Sequence, residues 1–190
     1  MADYYKKFET QTKARLMRLQ PDYLGEVHKI PDGVERVKRG NQDIYIHISK
    51  MPADFMTYRM EDGKLVLVEC KSVRSGSALT IEDDEMVIRR KKGFIKGSGS
   101  GLKNHQLHSL INLWKSGGVS LLLISFVLKN EVWAANGNTL LSWINEGDVK
   151  GNRSSMSHEH LKLHGYHLGN LTNWRICEHH LLTQKEATIL

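Results

Sequence analysis

Asp54 and the triplet Glu69-Cys70-Lys71 are the residues of this chain whose types and spacing could do chemistry. The triplet closes an apolar run, Leu65-Val66-Leu67-Val68, that reads as a strand. Residues two apart on a strand share a face, so Glu69 and Lys71 point the same way. An acid and a lysine make a poor core face unless that face opens onto a metal and a phosphate. Together the residues spell D-x14-E-x-K. Such a set could hold Mg²⁺ against a phosphodiester, with Asp54 and Glu69 sharing the ion and the Cys70 carbonyl as a further hard oxygen. Lys71 would orient the attacking water, lower its pKa or stabilise the transition state.

The elements around these residues must bring Asp54 to Glu69. Phe55 to Met60 and Lys64 to Val73 read as two strands joined at Glu61-Asp62-Gly63, and Asp-Gly is a strong hairpin signal. Counting outward from that turn sets Asp54 opposite the end of the second strand. Asp3 to Leu19 reads as a helix, with Phe8, Thr12, Leu16 and Leu19 at helical spacing. Glu9 lies beside that stripe, and if the helix packs on the sheet it could complete the site or bind a second metal. Shorter strands are expected at Val27 to Ile30, Val34 to Lys38 and Ile44 to Ile48. A helix from Lys103 to Lys115 stops at Gly117-Gly118, and the apolar run Val119 to Leu128 reads as a central strand. Asn130 to Asn136 gives a further strand and Leu140 to Ile144 a short helix, while the residues beyond Gly147 show no assignable pattern.

A second Pro-Asp pair, Pro31-Asp32, is a decoy. The acid and lysine that follow it, Glu35 and Lys38, are three apart and fall on opposite strand faces. Asp32 fits the turn of Pro-Asp-Gly.

Residues 73–101 are expected to form a mobile charged loop within a single domain spanning 1–190. They hold an acidic cluster at Glu82 to Glu85, a basic run and a Gly/Ser-rich end. The basic side chains Arg74, Arg89, Arg90, Lys91, Lys92, Lys96 and Lys103 would contact DNA phosphates, which adds affinity without sequence information. A formal net charge of +6 and a pI of about 9.3 favour an anionic partner. Two cysteines make no disulfide framework. No apolar stretch approaches the ~20 residues of a spanning helix, and the N-terminus has no signal-peptide core. A soluble, intracellular, cytoplasmic protein with no membrane partner is therefore expected. His158, His160, His164, His167, Cys177, His179 and His180 form no CxxC or HExxH frame, and the histidines read as surface or DNA-facing.

The chain resembles the PD-(D/E)xK nuclease superfamily and, within it, the RecU-like Holliday junction resolvases. The likeness runs from Phe8-Glu9 through Ala53-Asp54 and Leu67-Val68-Glu69-Cys70-Lys71-Ser72 to His105-Gln106 and Gly117-Gly118-Val119 to Phe126. It implies an α/β, restriction-endonuclease-like core, a mixed central sheet flanked by helices. It also implies a Mg²⁺-dependent homodimer, with Mn²⁺ as a substitute ion, that cuts four-way DNA junctions by paired nicks during recombination or replication. Glu9, Asp54 and Glu69 would be its metal-binding acids, Lys71 its catalytic lysine and Gln106 a catalytic polar residue. A restriction-type or general DNA-degrading nuclease, and a catalytically silent DNA-binding protein, are the alternatives the residues leave open.

Overall fold

The computed structural model describes residues 3–20, 22–30, 34–39, 42–47, 52–74, 78–82, 101–150 and 155–181. Its first helix, α1 (Asp3–Met17), buries Phe8, Thr12 and Leu16, which recur every fourth residue on one stripe. Three strands follow: β1 (His28–Lys29), β2 (Val34–Arg39) and β3 (Gln42–His47). The expected strand at Val27 to Ile30 thus shrinks to two residues. Among the described residues, β2 and β3 pair only with each other, as an antiparallel hairpin outside the main sheet.

β4 (Phe55–Tyr58) and β5 (Leu65–Val73) form the antiparallel hairpin that the Asp-Gly step announces. Gly63 takes a φ of 69° in the turn, a conformation that glycine adopts without a Cβ penalty. Next come β6 (Ala78–Glu82), β7 (Leu102–Lys103) and α2 (Asn104–Lys115). The chain then enters β8 (Val119–Phe126), all eight residues of which are buried. A strand covered on both faces has no polar side to show, hence a run that is apolar but for Ser120 and Ser125.

Asn130, at φ 54°, turns the chain back into β9 (Glu131–Asn136). Then follow α3 (Gly137–Lys150), β10 (Ser155–Ser157), α4 (His158–His164), β11 (Tyr166–Asn170) and β12 (Asn173–Trp174). α3 is far longer than the expected Leu140 to Ile144.

The main sheet has seven strands in the order β1-β4-β5-β8-β9-β11-β12. All its neighbours run antiparallel except β5 and β8, which are parallel and are joined by a crossover containing α2. The fold is therefore mixed α/β, with a curled mixed sheet flanked by helices. One core lies between the sheet and α1, with Phe8, Leu16, Val66, Val68 and Leu121. The other lies under α2, with Leu67, Leu107, Leu110, Leu122 and Ile124. Among the described residues, no helix is long and apolar enough to cross a membrane.

Part of the expected mobile loop is a strand. β6 pairs antiparallel with β10 and parallel with β7, and it buries Leu79 and Ile81 in the α2-side core. Those two apolar side chains, two apart on one face, are why this stretch is ordered. Arg89, Arg90, Lys91, Lys92 and Lys96 lie outside the described residues, as does Asp32.

Candidate active site

β5 alternates as a strand between two cores must. Val66, Val68 and Cys70 face α1, and Leu67 and Val73 face α2. Glu69 and Lys71 fall in register with Leu67, on the α2 face. The β4–β5 ladder pairs Phe55 with Val68, and one step further lie Asp54 and Glu69. The hairpin thus brings the backbone of Asp54 opposite that of Glu69, as strand counting requires.

Asp54 ends its strand in a specific way. Its N–H donates to the Val68 carbonyl at 3.1 Å, and its Oδ2 accepts the Cys70 N–H at 2.7 Å. The carboxylate thus takes a hydrogen bond that a longer β4 would have supplied from its backbone. Even-numbered residues of β5 direct their N–H and C=O toward β4. The Cys70 carbonyl therefore points to the same side, past the end of β4.

Glu69 is fully buried, and the Lys71 ammonium lies 2.6 Å from its Oε1. Apart from that ammonium, neither buried carboxylate oxygen has a hydrogen-bond partner among the described residues. A buried carboxylate with so little compensation is costly. Burial raises its pKa from 4.5 to about 7; the Lys71 charge opposes the rise and the Asp54 charge adds to it. Asp54 is also raised, by burial first, while the Cys70 N–H, Lys71 and Tyr5 pull the other way. Asp54 is half buried, the more exposed of the two acids.

Two residues at the site escaped sequence reasoning. Tyr5, four residues before Glu9 on α1, donates its hydroxyl toward both Asp54 oxygens at 3.2 Å. Burial, then the charges of Asp54, Glu69 and Glu9, push its pKa far up, so it stays a neutral donor. Lys29, on β1, places its Nζ 2.6 Å from Glu9 Oε2. The periodicity of α1 marks the face that carries Tyr5, but no motif marks either residue, and a two-residue strand gives Lys29 no pattern at all.

Glu9 is buried, as the packing of α1 requires, yet the carboxylate oxygens of Glu9, Asp54 and Glu69 do not all come within 4.8 Å of one another. Gln106 is buried on α2, and its Oε1 accepts the Lys103 N–H at 3.2 Å, an N-terminal helix contact. No described hydrogen bond joins it to Asp54, Glu69 or Lys71. Lys103 is exposed at the start of α2, and Arg74 is half buried with its guanidinium 5.7 Å from the Tyr4 ring.

Several histidines are not on the surface. His158, His160 and His180 are buried, and His158 Nε2 lies 2.6 Å from Glu131 Oε2. Among the described residues, one trio, Cys177, His179 and His180, gathers its ligand atoms within 4.8 Å. His180 Nδ1 accepts the Cys177 N–H at 2.9 Å. Burial, then His179, holds its pKa down to about 4, so the ring is neutral with its proton on Nε2 and no lone pair left for an ion.

The donors at Asp54 and Glu69 are hard oxygens, and the two on Glu69 are buried with no partner but the Lys71 ammonium among the described residues, which suits a small divalent cation. No protein-family model matches the chain, and no curated protein matches it either.

Proposed function

We propose that the chain is a Mg²⁺-dependent, structure-selective DNA endonuclease of the PD-(D/E)xK type, acting as a homodimer on four-way junctions. One observation carries the chemistry: the buried Glu69 carboxylate, beside Asp54, with the Lys71 ammonium as its one compensating group among the described residues. Two acids and a lysine gathered at the open end of a hairpin have no structural task that apolar residues would not do better. Asp54 and Glu69, with the Cys70 carbonyl, would hold the ion, which supplies a Lewis acid and lowers the pKa of water. Lys71 keeps Glu69 in place and has donors left for a phosphate oxygen or the attacking water. Tyr5 and the Cys70 N–H fix the orientation of Asp54. The junction preference and the two-fold assembly rest on the resemblance alone, since paired nicks need two sites related as the strands are.

The test is a panel of four-way junction, fork, linear duplex and single strand at fixed salt, cut by wild type and Asp54→Asn. Wild type is expected to nick junctions in pairs. Asp54→Asn should bind them and lose more than about 100-fold in cleavage rate. Equal cutting of duplex and junction would leave the general nuclease. Binding without turnover under Mg²⁺ or Mn²⁺ would leave the silent DNA-binding protein.

A further inference from the structure

Glu9 is the acid that the resemblance assigns to the metal set, and its surroundings give it another partner. The residue is 8 % exposed, and a charge that deep needs a counter-charge at contact distance. Lys29 supplies one, 2.6 Å from Oε2. The backbone holds it there: Lys29 pairs with Phe55 in the β1–β4 ladder, and the next N–H, of Ile30, donates to the Asp54 carbonyl at 2.8 Å. The lysine is thus anchored to the very residue that carries the neighbouring acid. An ammonium and a divalent ion compete for the same carboxylate lone pairs. Glu9, Asp54 and Glu69 do not bring their carboxylate oxygens within 4.8 Å of one another as a trio, so one ion does not draw on all three as they stand.

We propose that Lys29 is a resident cation standing where a second metal ion would sit at Glu9, so that the site binds a single divalent ion, on Asp54 and Glu69. The inference rests on the metal-dependent reading above. Glu9 and Lys29 then form an ion pair beside Asp54, and Glu9 is a positioning residue for Lys29, not a metal ligand.

Mn²⁺ titration into the full chain, followed by calorimetry and by the electron paramagnetic resonance of free Mn²⁺, tests this without any turnover. Wild type, Asp54→Asn, Glu9→Gln and Lys29→Met are compared, with a thermal melt on each. One ion per chain is expected in wild type and its loss in Asp54→Asn. Glu9→Gln should keep that ion within about threefold in affinity, and Lys29→Met should take up two ions. Two ions in wild type, a loss beyond about tenfold in Glu9→Gln, or a single ion in Lys29→Met would overturn the role of Lys29. No ion in wild type, or an ion that survives Asp54→Asn, would overturn the metal reading itself and the inference with it. Should Lys29→Met fail to fold, Lys29→Gln, which keeps a donor toward Glu9 without the charge, carries the same stoichiometry test.

Discussion

Glu69 is the residue at which fold and chemistry conflict most directly. With its pKa raised to about 7 by burial, the carboxyl binds a proton more tightly in the folded chain than in the unfolded one. The sign follows from linkage: its favourable contribution is complete below about pH 4.5 and is lost as pH rises through about 7. Between pH 5 and 8, metal-free wild type should lose on the order of 3 kcal/mol relative to Glu69→Gln, measured by urea unfolding in EDTA. Mg²⁺ should restore wild type more at pH 8 than at pH 5.5, because only the ionised acid binds it, and should leave Glu69→Gln unmoved. Parallel stability curves for the two proteins would show that Glu69 is not strained. Tyr5 makes the opposite contribution, since its hydroxyl satisfies the neighbouring acid. Tyr5→Phe should cost about 1 kcal/mol in unfolding free energy and weaken Mn²⁺ binding several-fold. Unchanged ion affinity would confine Tyr5 to packing.

Order in the elements follows where apolar side chains can be paired. In β6, Leu79 is 1 % exposed, so Leu79→Ala should cost about 2–5 kcal/mol by denaturant unfolding. A value under about 0.5 kcal/mol, as for a loop residue, would remove this strand from the core. Its order was hard to read from sequence: five residues in a polar stretch, whose antiparallel partner β10 comes after two helices. The β4–β5 hairpin and α2 were legible because each carries its own periodicity and its own stop, Gly63 or Gly117, and β8 because of its long apolar run. The C-terminal strands were not. β11 is partly exposed and shifts register between His167 and Gly169, which breaks the alternation that a reader would look for. The candidate site divides the same way. Asp54, Glu69 and Lys71 follow from counting along one hairpin, whereas Tyr5 and Lys29 reach it through the packing of α1 and the pairing of β1. No local pattern encodes that packing.

Across the whole molecule the charge is uneven. The chain carries +6, yet the site gathers three carboxylates, Glu9, Asp54 and Glu69, against two ammoniums, Lys29 and Lys71. When all five are ionised, one negative charge is left facing the direction from which a phosphate would come. A divalent ion would reverse it to one positive charge, so the site repels DNA without metal and attracts it with metal. The amide in Asp54→Asn removes that negative charge without any ion. In EDTA at low salt, this variant should therefore bind a four-way junction about two- to fivefold more tightly than wild type, by fluorescence anisotropy. The gain should shrink as ionic strength passes about 0.15 M, where the screening length falls to ~8 Å. Ca²⁺, an oxygen-seeking ion, should tighten wild-type binding and leave Asp54→Asn nearly unchanged. Weaker metal-free binding by Asp54→Asn than by wild type would mean that Asp54 meets DNA as a hydrogen-bond acceptor, and that the acids are not an electrostatic gate opened by an ion.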